Sequence, residues 1–319
     1  MYERAVAIPL IRTGGLPSAE RRALQRRVHR GELIALRPGV LVRPEHVDGL
    51  GDEHRHLLLV RAAAPTIVHP AAVSHRSAAV VHGLPFVGAV PDRIDVTDPR
   101  RSRNETTALR RVHAAQPRAD LPSRWSGLPP TTPIDICGAP VTPLVRTLVD
   151  VASCTSLVAA VPMIDAALHG RQVLPAMLGD ELDQHTRKGQ DKARTAIALG
   201  SALSGSPAES VCRVRFRQLG APGAVQQHVF ARPGERTAVV DFWFPAQGVV
   251  VEVDGRAKYE DPAMLAGRST ADAHWKEKQR EDFVRSFAEV RTVVRLTWAD
   301  LMDTERVRVK LVRAGVPCR

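Results

Sequence analysis

Nothing in the cysteines of this chain can build a framework. Cys137, Cys154, Cys212 and Cys318 are widely separated, with no C-x-x-C pair and no partnered histidine spacing. That excludes a disulfide scaffold and a zinc finger, and it predicts a reducing, cytoplasmic setting. Long hydrophobic runs are missing too: no stretch approaches the ~20 apolar residues of a membrane span, and the start of the chain lacks the pattern of a secretion signal. A membrane is not an expected partner. Acid is scarce relative to base. With 45 Lys and Arg against 34 Asp and Glu, the formal net charge is +11, which favours an acidic partner, nucleic acid first among them, although an Arg-rich and Ala-rich coding bias would also raise the charge. His54 and His56 point to different sides of a helix, so a solvated face suits them better than a metal.

What the chain does have is an acidic hairpin. Ala238-Val239-Val240-Asp241-Phe242-Trp243-Phe244 and Val249-Val250-Val251-Glu252-Val253-Asp254 alternate with period two on either side of Pro245-Ala246-Gln247-Gly248, the pattern of two antiparallel strands and a tight connection. Centring the turn between Ala246 and Gln247 pairs Phe244 with Val249 and sets Asp241 opposite Glu252. Asp254 lies two residues on, on the same face as Glu252. Carboxylates opposite one another on adjacent strands repel, so a cation is expected between them, with a divalent metal the natural candidate.

A length of 319 residues fits about two domains at ~150 residues each. Near the N-terminus, Ser18 as N-cap, Glu20 in the first turn and Gly31 just past the end bound a short helix. Its stripe of Ala23, Leu24, Arg27 and Val28 is narrow, and Arg21, Arg22, Arg26 and Arg30 occupy the rest. Two strand-like runs follow, joined at Arg37-Pro38-Gly39, which completes the outline of a winged helix-turn-helix. Helices are expected near 52–64 and 73–82, and strands at Arg93–Thr97 and Leu109–His113. Pro117–Pro133 looks like surface connection, and Ile134–Val141 like a further hairpin. From Pro143 to about Leu203 the pattern is helical with breaks at Pro162, Gly170, Pro175 and Gly189, and no chemistry stands out. After Gly200–Pro207 the expected order is α-β-β-β-α-β-α. The fold class is therefore mixed α/β (α+β). The domains are drawn at 1–50 (winged helix), 51–204 (mixed α/β with a helical connection) and 205–319.

Ser206-x-x-Glu209-Ser210, Val240-Asp241, Val251-Glu252-Val253-Asp254-Gly255, Lys258-Tyr259, Glu277-Lys278-x-Arg280-Glu281-Asp282 and Val293-Val294-Arg295-Leu296-Thr297-Trp298-Ala299-Asp300-Leu301 together resemble the PD-(D/E)XK restriction-endonuclease superfamily. More narrowly, they resemble the endonuclease-like domains related to very-short-patch mismatch endonucleases. Gly14-Gly15, the arginine helix, Arg30-Gly31-Glu32-Leu33, Arg37-Pro38-Gly39-Val40, Ser74-His75-Arg76-Ser77-Ala78-Ala79, His82-Gly83-Leu84 and Val141-Thr142-Pro143-x-x-Arg146-Thr147-Leu148-Val149-Asp150 resemble AbiEi-type abortive-infection antitoxins over residues 1–170. These resemblances imply a DNA-binding winged helix and a restriction-endonuclease-like domain with a small mixed sheet flanked by helices. They also imply a role in phage defence or toxin–antitoxin control, with a cognate toxin or antitoxin as a partner.

On the endonuclease resemblance, Asp241, Glu252 and Glu209 would hold Mg²⁺ or Mn²⁺, which activates water and offsets charge on the scissile phosphate. Two structural alternatives stand beside this. Glu209 with Ser206 is also a good capping box, and Asp241 with Glu252 also suits an arginine-paired cluster. The motif lysine is missing, since Asp254 occupies its position. Lys258 is close enough to reach back; on the next helix the resemblance favours Lys278, whereas the helical wheel turns Lys276 and Arg280 toward the stripe of Trp275, Gln279, Phe283 and Phe287. For any one of these, a solvated surface cation is the favoured alternative. The rival function is a non-catalytic transcriptional autoregulator or antitoxin that binds DNA through Arg21, Arg22, Arg26, Arg27, Arg30 and Arg37. Those arginines alone would also suit a soluble face.

Overall fold

A computed structural model describes residues 2–115, 138–184, 188–254 and 270–319, with side chains from 5 onward in the first of these and from 278 onward in the last. The chain divides into two compact units, Met1–Ala198 and Leu199–Arg319. The architecture is mixed α/β, as expected, with three small sheets among the described residues.

The first unit opens with α1 (Tyr2–Ala7), β1 (Ile11–Arg12), α2 (Ser18–His29), β2 (Ile34–Arg37) and β3 (Val40–Val42). The three strands pair antiparallel in the order β1-β3-β2. Gly39, at φ +82°, supplies the left-handed position the hairpin turn requires. Ser18 is the first helical residue rather than the cap: Pro17 precedes the helix and no side chain caps it. The Thr13–Pro17 segment, rich in glycine, forms no helix of its own. α3 (Pro44–Val47) leads into α4 (Asp52–Ala63). Leu58 of α4 packs with Ile8, Val42, Val47 and Leu50, so α4 and the β2–β3 hairpin share a core across position 50.

A second sheet, β4-β5-β7-β6, follows: β4 (Ala72–Val73), β5 (Ile94–Thr97), β6 (Glu105–Thr106) and β7 (Arg110–His113), with α5 (His75–Val81) between the first two. Of the hairpin expected at Ile134–Val141, residues 134–137 lie outside the described residues; Val141 makes a single parallel bridge to Val73. The proline-rich connection at Pro117–Pro133 also lies outside them. α6 (Leu144–Cys154), α7 (Leu157–His169), α8 (Pro175–Gln184) and α9 (Gln190–Ala198) close the unit. Pro162 does not end its helix but sits within α7. Burial of Ala160, Val161, Met163 and Ile164 around it offsets the ~3 kcal/mol cost of an interior proline.

The second unit consists of α10 (Pro207–Gln218), β8 (Val225–Ala231), β9 (Thr237–Phe244), β10 (Val249–Asp254), α11 (Thr270–Arg285), β11 (Thr292–Thr297), α12 (Trp298–Leu301) and α13 (Thr304–Arg313). Its sheet runs β11-β10-β9-β8. β9 pairs antiparallel with both β8 and β10, and β11 lies parallel to β10. Phe244 pairs with Val249, as the turn arithmetic requires. Aromatic contacts set α10 on one face, where Phe216 meets Phe242 and Phe244. On the other, Phe283 and Val284 of α11 join Val240, Trp243 and Val250. Each such buried side chain contributes ~1.5–3 kcal/mol.

Candidate functional site

α2 buries none of its twelve residues. Arg21, Arg22 and Arg26 are exposed and have no ion-pair partner among the described residues. Arg27 and Arg30 turn back to one carboxylate, Glu32, at 3.0 and 2.9 Å. Arg37 lies against the body of the unit and donates to Ala62 O at 3.4 Å.

The acidic hairpin resolves its own repulsion. The β9–β10 ladder stops at Val251 and Phe242, one pair short of the two acids. Asp241 instead accepts the Val253 N–H on Oδ2 at 2.7 Å, so a side-chain oxygen replaces a ladder carbonyl. Glu252 turns to α11, where Arg280 Nη2 lies 3.0 Å from its Oε1 and Arg280 Nη1 donates to Val239 O at 2.8 Å. A guanidinium is thus the cation beside Glu252. Arg295, across from Glu252 in the parallel pair, binds Glu281 at 2.6 Å, and Glu281 is held below the ordinary carboxylate range chiefly by Arg285.

Glu209 is buried and saturated. Its Oε1 accepts from Ser206 Oγ at 2.7 Å, and its Oε2 accepts from Gly205 N at 3.1 Å and Gln227 Nε2 at 2.9 Å. Ser206 Oγ in return accepts the Glu209 N–H at 3.3 Å, which is the capping geometry. Gln227 holds a positive φ of +51° and drops out of the β8–β9 pairing opposite Asp241. The thiol of Cys212, one turn along α10 from Glu209, is pushed far up, chiefly by burial.

Asp254 is half-exposed and paired in register with Thr297. Lys278 is exposed, and Lys258 lies outside the described residues. No group of three or more His, Cys, Asp or Glu among the described residues is placed to hold a metal ion. Glu209 is tied into its cap and Glu252 is ion-paired to Arg280.

A buried polar network that the sequence did not reveal lies in the first unit. His75 has a positive φ of +50° and stacks on His113 with centroids 3.7 Å apart. Its Nδ1 meets Ser74 Oγ at 2.9 Å and lies 4.0 Å from Asp150. His113 Nε2 binds Asp95 at 3.0 Å. Ser77 Oγ accepts the Asp95 N–H and bonds His56 Nε2, both at 2.8 Å. Arg146 Nε reaches both Asp150 oxygens at 2.9 Å and its Nη1 lies 3.6 Å from Glu181. Burial lowers the pKa of His56 and of His75 to about 4. Ser74 and Ser77 are fully buried, and the network orders the β4–α5 corner. The available signal was charge inside apolar runs: Asp95 in β5, and Arg146 with Asp150 in α6.

No family model matches the chain, and no curated protein matches it. Among solved structures, the crystal structure of the RV2827C protein from Mycobacterium tuberculosis is similar over 72% of this chain and 86% of that one, at 17% identity and a TM-score of 0.37. A likeness that shallow fixes neither fold nor function. No helix of the described residues is long and apolar enough to cross a membrane.

Proposed function

We propose that the chain binds DNA, gripping the phosphate backbone through the arginine face of α2 with the β2–β3 hairpin beside it. The observation that carries this reading is a twelve-residue helix that buries nothing while Arg21, Arg22 and Arg26 stand exposed and unpaired among the described residues. A surface helix normally buries an apolar stripe. One that spends its surface on unpaired guanidinium groups is built to meet an anion, and phosphate is the anion whose geometry guanidinium matches. The net charge of +11 supports the same partner. A mobility-shift titration of duplex DNA tests it: the triple variant Arg21→Gln/Arg22→Gln/Arg26→Gln is expected to bind at least tenfold more weakly, and equal binding refutes the reading.

A second reading, phosphodiester cleavage at Asp241 and Glu252, is favoured by one contact. Asp241 Oδ2 lies 2.7 Å from the Val253 nitrogen, which brings its carboxylate against the residue that follows Glu252. This reading requires Arg280 to release Glu252. Plasmid nicking in Mg²⁺ by the natural chain and by Asp241→Ala/Glu252→Ala decides it, and equal nicking by both ends it.

A further inference from the structure

Three arginines from three strands converge at the C-terminal end of α4. Arg12 of β1 donates to Arg61 O at 2.9 Å and to Ala62 O at 3.1 Å. Arg37 of β2 reaches the same Ala62 oxygen at 3.4 Å. Arg110 of β7, in the second sheet, donates to Thr66 Oγ1 just past the helix. None of the three has a carboxylate partner among the described residues. The contrast within the same unit is sharp: Arg27 and Arg30 share Glu32, Arg100 and Arg101 share Asp98, and Arg146 has Asp150.

Helix capping accounts for part of this cluster. The carbonyl end of a helix carries roughly half a negative charge, and Arg12 and Arg37 both meet it. That fraction does not balance three guanidinium groups. Arg37 Nε is buried with no hydrogen-bond partner, whereas buried donors are nearly always satisfied. Arg110 touches a hydroxyl, not the helix end. Burial, and then the charge of Arg37, lower its pKa below the ordinary arginine value. Like charges drawn together without an acid cost stability, and such a cost is commonly met at a site kept for a ligand.

We infer that Arg12, Arg37 and Arg110 form a socket for a backbone phosphate of nucleic acid. The ligand must be a compact oxyanion able to take several N–H donors from converging forks, which phosphate oxygens do well. Arg37 sits at the β2–β3 turn and Arg110 in β7, so the socket carries the nucleic-acid footprint from the wing onto the second sheet. The proposal rests on the DNA-binding reading and adds a phosphate site which that reading does not need.

The test is fluorescence anisotropy of a labelled duplex of about 20 base pairs, titrated from roughly 50 to 200 mM salt. It uses the full chain, Arg110→Gln, Arg110→Lys and the triple α2 variant, each also followed in a thermal melt. Arg110→Gln is expected to lower the slope of log affinity against log salt by about one and to weaken binding several-fold. Its melting temperature should stay level or rise, because a like-charge repulsion is removed, and Arg110→Lys should keep the natural slope. If Arg110→Gln keeps the natural slope while the α2 variant loses affinity, the socket is wrong and the DNA-binding reading stands. A Gln variant that melts well below the natural chain marks Arg110 as structural and overturns the socket. If the natural chain shows no salt-dependent duplex binding, both fall.

Discussion

Acid should loosen the first unit through two imidazoles, and the size of the effect can be worked out. His56 and His75 have folded pKa values lowered to about 4 from 6.5 by burial. The nearby Asp95 and Asp150 pull the other way without winning. A histidine with a depressed folded pKa stays neutral in the fold while the unfolded chain takes up its proton. Stability is therefore level above pH 6.5, falls as pH drops from there toward 4, and levels again below. At about pH 5 the linkage amounts to roughly 2 kcal/mol for each group, or about 4 kcal/mol for the pair. Both side chains are nearly enclosed, at 5% exposure for His56 and 13% for His75, so solvent screening removes little of this. Tryptophan fluorescence would mix the two units, since Trp125 falls in the first and Trp243, Trp275 and Trp298 in the second. Far-UV circular dichroism in urea is the suitable assay. With a slope near 2 kcal/mol per molar, the midpoint should fall by about 2 M between roughly pH 7.5 and 5. His75→Asn, which tolerates the left-handed backbone, should retain about half of that shift, and His56→Gln/His75→Asn should lose most of it, the remainder coming from His82, whose pKa burial also lowers. A midpoint that does not move, or one that moves equally in the double variant, refutes the assignment.

Three further outcomes are expected. Asp150→Asn weakens the neutralisation of the buried Arg146, with Glu181 at 3.6 Å left as its carboxylate partner, and should cost about 3 kcal/mol in urea unfolding. Gly248 has a φ of +65°, and a Cβ there would lie 2.6 Å from Glu289 O, so Gly248→Ala should lower the melting temperature of the second unit by several degrees; an unchanged melt would show that the turn relaxes freely. Glu209→Ala removes three hydrogen bonds and should cost about 2 kcal/mol by the same unfolding assay, without requiring any metal.

The elements of the second unit are legible in the sequence because their determinants are local. The period-two runs, Gly248 and the loop length fix the register of β9 against β10, and Ser206 with Pro207 fixes the start of α10. Asp241 reads as a plain cross-strand partner of Glu252, and the structure departs from this because the escape of Asp241 from the ladder depends on the left-handed Gln227 and on the Val253 N–H. Neither has a sequence signature. The helical wheel of α11 turns Arg280 inward, in agreement with its pairing to Glu252, whereas the lysine favoured by family resemblance, Lys278, is exposed. The histidine network leaves no pattern in the sequence because its members come from α4, α5, β5, β7 and α6 and meet only in the fold. Pro162 reads as a break because interior burial, which decides such cases, is not a local property.

The proposed grip on DNA depends on phosphate neutralisation by α2. It is tested most directly by the salt dependence of duplex affinity in the natural chain and in Arg21→Gln/Arg22→Gln/Arg26→Gln. If all three arginines neutralise phosphates, the slope of log affinity against log salt should fall by about 2.7 in the variant, at roughly 0.9 for each phosphate no longer neutralised. Slopes that coincide would contradict the claim.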